Sequence, residues 1–373
     1  MRPDPQSPAL DGLPGTVGTT QLDAGPACRL IAWEVTRSCN LACRHCRAEA
    51  HPEPFPGELN TQEAKALIDG FSEVGNPIII FTGGEPMMRR DVCELTAYAS
   101  SRGLRCVFSP NGTLIDAENA VRLKNSGVQR CSISIDGPDA ASHDAFRGVP
   151  GAFDASMRGI GHLQQAGLDF QINTTVTRDN LASFKSIFEL CERVGAKAWH
   201  IFLLVPTGRA AGLADQVITA QEYEDTLHWF HDFRKRTSMH LKATCAPHYY
   251  RIMRQRAREE GVGVTTENFG MDAVTRGCLG GVGFCFISHV GQVQPCGYLA
   301  LDCGNVRTTP FPEIWRKAPR FQELRAQSAY KGKCGTCEYH KVCGGCRARA
   351  FSMTGDHMGS EPLCVYEPAK TRV

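Results

Sequence analysis

Cys39-Asn40-Leu41-Ala42-Cys43-Arg44-His45-Cys46 places three thiols at Cys-x3-Cys-x2-Cys spacing on one short stretch. A four-iron cluster normally takes four Cys ligands, so three on a tight loop leave one iron with an open position that can hold something else. A zinc knuckle or a disulfide is the plainer alternative for close cysteines, yet no fourth partner lies nearby. An apolar run of strand length, Leu30 to Val35, precedes the loop. Asn60 with Glu63 follows it as a capping box that opens a helix. The loop therefore joins a strand to a helix.

The same rhythm continues along the chain. Runs at Ile78 to Phe81, Leu104 to Phe108, Cys131 to Ile135, Phe170 to Val176 and Ala198 to Val205 have strand length and are rich in Ile, Val and Phe. Gly103, Gly127, Gly167 and Gly195 close helical segments between them. Alternation of this kind implies a parallel sheet with helices outside, whose ligand chemistry gathers at the carboxyl ends of the strands. The three-Cys loop, Gly83-Gly84-Glu85-Pro86 and the pair Ser134 and Asp136 each follow a strand. Glycines at 83 and 84 let backbone approach a ligand, and Glu85 can accept from an ammonium group. Asp136-Gly137 is also ordinary turn chemistry, and a surface Arg such as Arg147 is usually solvated.

Composition narrows the class. The 373 residues can bury a large core in more than one domain. A net charge of +2 from 41 basic and 39 acidic residues makes no case for nucleic acid or acidic membranes. The start of the chain is polar and Pro-rich, residues 1 to about 27 read as a mobile arm, and no apolar run is long enough for a membrane span. Eighteen cysteines without a signal peptide point to thiols held by iron in a reducing cytoplasm.

Beyond the strands, Thr219 with Glu222 opens a bridging helix, and a short strand over Met239 to Ala243 leads to a second helix at Pro247. From about Gly270 the chain is short on helix and dense in Cys and Gly, as in a metal-organised domain. Cys278, Cys285 and Cys296 are followed by Cys334, Cys337, Cys343, Cys346 and Cys364, eight thiols that suffice for two four-iron clusters or paired zinc sites. Cys28, Cys93, Cys106, Cys131, Cys191 and Cys303 lie in apolar or helical contexts and read as core; Cys245 is ambiguous.

The three-Cys loop, Thr82 to Pro86, Ser132 to Asp136 and the Cys-rich end together resemble the radical S-adenosylmethionine (AdoMet) enzymes with a C-terminal SPASM domain, over nearly the whole chain. The resemblance implies an α/β fold: a partial (β/α)6 barrel over residues 29–218, bridging helices over 219–269 and a SPASM domain over 270–373. It implies that Cys39, Cys43 and Cys46 hold a cluster whose open iron is chelated by AdoMet, which is cleaved to a 5'-deoxyadenosyl radical. Gly83, Gly84 and Glu85 would bind the AdoMet amine, Ser134 and Asp136 its ribose and Arg147 its carboxylate, with Asn111 as a further contact. Carried over by position, Cys278, Cys285, Cys296 and Cys346 would hold one auxiliary [4Fe-4S] cluster and Cys334, Cys337, Cys343 and Cys364 the other. Two residues separate Cys343 from Cys346, where the family usually has three. Three [4Fe-4S] clusters, AdoMet and a flavodoxin- or ferredoxin-type electron donor follow.

Within that family, Leu204 to Arg209, Lys242 to Arg251 and Thr275 to Cys278 are similar to the tetrapyrrole branch, the haem d1 enzymes and the haem b synthases of the siroheme-dependent pathway. The resemblance implies an iron-porphyrin substrate whose propionates and iron would meet Arg209, His248, Tyr249, Tyr250 and Arg251 at the barrel mouth. The reaction would be oxidative decarboxylation of two propionates of iron-coproporphyrin III to vinyls. Peptide modification is the alternative within the family, and a non-catalytic iron-sulfur carrier the alternative outside it.

Overall fold

The computed structural model describes residues 26–369; the expected arm lies, up to residue 25, outside them. Nine strands form one sheet in the order β7-β6-β5-β4-β3-β2-β1-β8-β9. β1 is Leu30–Thr36, β2 Ile78–Gly83, β3 Arg105–Phe108, β4 Val128–Ser134, β5 Phe170–Val176, β6 Ala198–Leu203, β7 His240–Thr244, β8 Phe284–Ile287 and β9 Val293–Gln294. All neighbours pair parallel except β8 and β9. Parallel neighbours need long crossovers, and the helices supply them.

The six expected strands are β1 to β6; β4 starts at Val128, ahead of the expected run, because Val128 finds Cys106 as its register partner. Two more parallel strands come from segments expected to stand apart. β7 continues the sheet beyond β6, and β8, inside the Cys-rich part, pairs with β1 through Leu30↔Phe284 and Ile31↔Cys285. The C-terminal part is thus tied into the sheet at one edge and the bridging segment at the other. Nor is it short on helix: Phe311–Lys317 and Arg347–Thr354 are helical. Phe311 packs edge-on against Phe71 at 5.3 Å, and Gly70 lets Pro312 come within 3.3 Å of where its Cβ would stand.

Alternate residues of each strand face outward under the helices. That face is apolar and closed: Trp33 and Phe81 lie 5.8 Å apart, and Trp199 packs among Phe184, Phe188 and Phe230. Removing a buried aromatic of this kind costs about 3–5 kcal/mol. The caps read from sequence close their helices, with both bonds of the box at Asn60/Glu63 and at Thr219/Glu222. Among the described residues no helix is long and apolar enough to cross a membrane.

Candidate active site

The three-Cys loop leaves the carboxyl end of β1 and is gripped from three sides. Gly84 and Glu85 donate backbone N–H bonds of 2.8 Å to Thr36 and Ser38. A Cβ on Gly83 would fall 2.3 Å from the Thr36 carbonyl oxygen and one on Gly84 2.3 Å from that of Arg37. Glycine is therefore demanded here by the approach of the β2 turn to the loop, a constraint distinct from the ligand approach expected from sequence. Gly208 packs likewise, with 2.3 Å between its Cβ position and the Arg47 oxygen. Arg209 then donates from its backbone to Cys46 O (2.9 Å), from Nε to Cys43 O (2.9 Å) and from Nη1 to Ala50 O (2.8 Å). Arg209, expected as a substrate contact, holds the cysteine loop through Nε and Nη1, while its Nη2 is buried without a partner.

Two N–H groups point at the loop's sulfurs, Leu41 N to Cys39 Sγ at 3.4 Å and Arg147 Nη1 to Cys43 Sγ at 3.6 Å. Burial pushes the Cys39 thiol up to about 12 and raises Cys43 as well. Bound iron is what draws off such protons, and N–H donors aimed at sulfur suit cluster thiolates, so the donor set fits a four-iron cluster.

Glu85 and Asp136, expected at the AdoMet amine and ribose, also brace the cysteine loop. Both are almost wholly buried. The Glu85 carboxylate accepts from Met87 N (3.0 Å) and Asn111 N (2.6 Å); burial raises it to about 7 against the pull of those amides. Asn111 donates to Asn40 Oδ1 at 2.8 Å, so Glu85 and Asn111 brace the residue next to Cys39. Asp136 accepts from Thr175 N at 2.6 Å and pairs with Arg147, which in turn reaches Cys43. Both Glu85 oxygens and Asp136 Oδ1 accept backbone N–H bonds, while Asp136 Oδ2 faces Arg147 without a hydrogen bond of its own. Ser134 stays half-buried on the inner face at the end of β4.

Four of the expected auxiliary ligands converge. Cys334, Cys337, Cys343 and Cys364 line one small cavity with His248 and Arg251. Their sulfurs accept from Glu361 N, Tyr339 N and Gly345 N at 3.4 Å each and from Arg347 Nη2 at 3.2 Å. Gly344 and Gly345 make the turn between Cys343 and Cys346 at φ 73° and 61°, which only Gly adopts freely. Cys346 and Cys278 lie within charge range of Cys296. Among the described residues no three His, Cys, Asp or Glu converge at single-ion distances; a four-iron cube spreads its thiolates over four corners instead.

Cys285 does not join them. Its register partner is Ile31, which turns it onto the helix-covered face, fully buried with its thiol against Cys28 and with Cys303 and Arg325 near. The assignment of Cys285 to the first auxiliary set is corrected by that register. His248, Tyr249, Tyr250 and Arg251 are corrected too, being at most 3% exposed. Arg251 pairs with Glu224 at 2.5 Å, Tyr250 meets Asp272 at 3.4 Å, and His248 lies edge-on to Tyr223 at 4.8 Å. Their burial sets them away from an open barrel mouth, although both His248 nitrogens, the Tyr249 hydroxyl and Arg251 Nε are buried without a partner.

The inner face carries the residues missed from sequence. Arg130 and Ser132 on β4, Gln171 and Asn173 on β5, His200 on β6 and Lys242 on β7 share it by register. The signal was available: a parallel strand buried on both faces reads as a continuous apolar run, whereas β4, β5 and β7 carry polar residues at alternate positions and β6 places His200 between Ala198 and Phe202. Gln171 Nε2 meets His200 Nδ1 at 2.9 Å, while His200 Nε2 is buried without a partner. Burial holds His200 well below the usual imidazole range, with Lys242, His240 and Arg130 adding to it. Arg130 and Lys242 are the basic side chains that register places on this face beside a neutral His200.

Glu34 ties the site to the C-terminal part. It is fully buried on β1 and receives Arg47 at 3.0 Å, Arg37 at 3.3 Å and His289 at 2.8 Å. Arg47, next to Cys46, also stacks over Phe286 at 4.2 Å. Tyr298 lies within charge range of Cys46 on one side and of Cys245 and Cys296 on the other.

A parallel sheet with a three-Cys loop after its first strand, backed by a second Cys-lined region, defines a radical AdoMet enzyme with an iron-sulfur C-terminal domain. The model of the radical SAM superfamily matches residues 33–191 and that of the SPASM iron-sulfur cluster-binding domain residues 278–347. The chain is 78% identical over 348 residues to the "AdoMet-dependent heme synthase" of Nitratidesulfovibrio vulgaris, covering 93% of this chain and 95% of that one. It is 33% identical over 356 residues to the "Fe-coproporphyrin III synthase" of Methanosarcina barkeri, covering 90% and 87%. In fold it resembles Streptococcus suis SuiB bound to S-adenosylmethionine, with a TM-score of 0.70, 14% identity and coverage of 91% and 78%. The chain belongs to the radical SAM superfamily and, within it, to the family of the AdoMet-dependent haem synthases.

Proposed function

We propose that this chain converts two propionates of iron-coproporphyrin III to vinyl groups, giving haem b. The observation that carries the reading is the 78% identity, end to end, to an AdoMet-dependent haem synthase, set against 33% to an iron-coproporphyrin III synthase. The inner face supports it, since Arg130 and Lys242 stand on it by register, and Lys242, whose charge burial disfavours and Asp272 favours, would gain from a propionate carboxylate. These two replace Arg209, His248 and Arg251 as the anion contacts.

When bound, the cluster on Cys39, Cys43 and Cys46 supplies the electron that cleaves AdoMet to the 5'-deoxyadenosyl radical. Each turnover would move one hydrogen atom from the propionate carbon next to the ring to the 5'-deoxyadenosyl radical, and loss of carbon dioxide, with one electron passed to an auxiliary cluster, would give the vinyl. The chain's part is placement. Arg209, Asn111 and Arg147 fix the cysteine loop, Gly83 and Gly84 bring the β2 turn against it, and the cations of the inner face hold the carboxylates of the porphyrin. The reading includes three four-iron clusters, a flavodoxin- or ferredoxin-type donor and a cytoplasmic setting.

The test is anaerobic incubation of reconstituted enzyme, AdoMet and reductant with iron-coproporphyrin III, followed by mass. Loss of two formic acid equivalents is expected. Porphyrin returned unchanged while AdoMet is consumed would sink the reading.

A further inference from the structure

With Cys285 turned onto the outer face, the first auxiliary set has three thiols, and a fourth stands beside them. Cys245 follows β7 directly, and it packs with Cys296 against the buried cluster that holds Cys346. Gly277, next to Cys278, has no room for a side chain: a Cβ there would fall 2.4 Å from Pro247 Cβ. That contact lays the Cys245-Ala246-Pro247 segment against the approach to Cys278.

Cys245 is also held in a conformation that ordinary packing does not ask for. Its φ is 54°, left-handed, and among the described non-glycine residues only Glu49 shares that sign. The strain is of order 1–2 kcal/mol for a residue with a Cβ, and it persists only where the surroundings over-determine it. Here they do: the Cys245 carbonyl accepts from Arg349 Nη2 at 2.8 Å and from the Tyr223 hydroxyl at 3.2 Å. Arg349 is fully buried, donates also to Leu203 O at 3.1 Å and pairs with Glu361 at 3.0 Å. A glycine would take this backbone without strain, whereas here the strained position carries a sulfur.

We propose that Cys245, with Cys278, Cys296 and Cys346, ligates the first auxiliary four-iron cluster, and that Cys285 is a structural thiol outside it. The proposal rests on the reading that the C-terminal part holds two clusters. One ligand then comes from the end of a sheet strand, three residues past Lys242, so the cluster pins the C-terminal part to the carboxyl edge of the sheet beside the inner face.

The experiment compares Cys245→Ala, Cys285→Ala and Cys346→Ala in the full chain, reconstituted anaerobically, by iron and sulfide count and by low-temperature EPR of the reduced proteins. Cys285→Ala should keep the wild-type iron content and spectrum. Cys245→Ala should lose up to about four irons per chain, or show a converted cluster, with the same auxiliary signal missing as in Cys346→Ala. The signal that changes on adding AdoMet, which belongs to the three-Cys loop, should remain in all three. Wild-type iron and spectrum in Cys245→Ala would overturn the proposal, as would loss of the auxiliary signal in Cys285→Ala. If Cys245→Ala does not fold, Cys245→Asp keeps an oxygen ligand and should retain iron with a shifted signal; an unshifted signal there also overturns it. A wild-type protein with about eight irons or fewer, rather than about twelve, would instead refute the two-cluster reading.

Discussion

Gly159 and Gly161 stand two residues apart in the helix Ala152–Ala166, and replacing each with Ala should move stability in opposite directions. Gly in a helix interior costs roughly 0.5–1 kcal/mol relative to Ala, so both substitutions begin with that gain. At Gly161 a Cβ meets nothing within 4 Å, and the gain should appear in full. At Gly159 the Cβ would stand 2.2 Å from the Gly112 carbonyl oxygen and 3.3 Å from Ile115 Cβ. The carbonyl must retreat by about 1 Å, an overpacking that costs about 1–3 kcal/mol and sets the difference between the two variants. Gly112 follows Asn111, whose amide holds Glu85 and whose side chain holds Asn40, so the retreat passes into the brace of the cysteine loop. Misplacement on that scale can cost about 100-fold in rate. Anaerobic denaturation midpoints at matched iron content, with 5'-deoxyadenosine formation measured alongside, test this. Gly159→Ala matching Gly161→Ala in both would refute the reasoning.

Gly84→Ala, whose Cβ would lie 2.3 Å from Arg37 O and 2.4 Å from Ser38 O, should abolish AdoMet cleavage; near-normal 5'-deoxyadenosine yield would show that the turn yields easily. Arg209→Ala removes the bonds to Cys43 O and Ala50 O, each worth about 1 kcal/mol, and should speed iron loss to a chelator from the three-Cys loop, read by the AdoMet-sensitive EPR signal. Lys242→Ala should raise the porphyrin KM while leaving AdoMet cleavage without substrate unchanged; an unchanged KM would remove Lys242 from the site. For Glu34, burial works to raise the carboxyl, but Arg47, His289 and Arg37 outweigh it and hold it at about 2 against an ordinary 4.5. A depressed acid stabilises the fold above the unfolded value and loses that contribution as pH falls toward 2. At about 1.4 kcal/mol per unit this is roughly 3 kcal/mol, so Glu34→Gln should lower the unfolding midpoint by an amount that stays constant from pH 8 to pH 6. A gap that closes within that range would contradict the sign.

The sequence alone determined the parallel α/β order, the two capping boxes, the strand ends at which the motifs fall and the three-Cys loop itself. All of these are local: apolar period, cap residues and ligand spacing act within a few positions of one another. Tertiary structure decided which thiols meet and which polar groups remain free. Cys285 sits as close in sequence to Cys278 as a ligand should, yet pairing with Ile31 turns it away, because shifting one position along a strand reverses the face. Cys245, far from Cys346 in sequence, arrives beside it at the end of β7. Glu85 and Asp136 also take up Asn111, Met87, Thr175 and Arg147, contacts that the sequence did not show. A buried polar group must find a partner, and which partner it finds depends on contacts between segments distant in the chain, which spacing along the sequence does not encode.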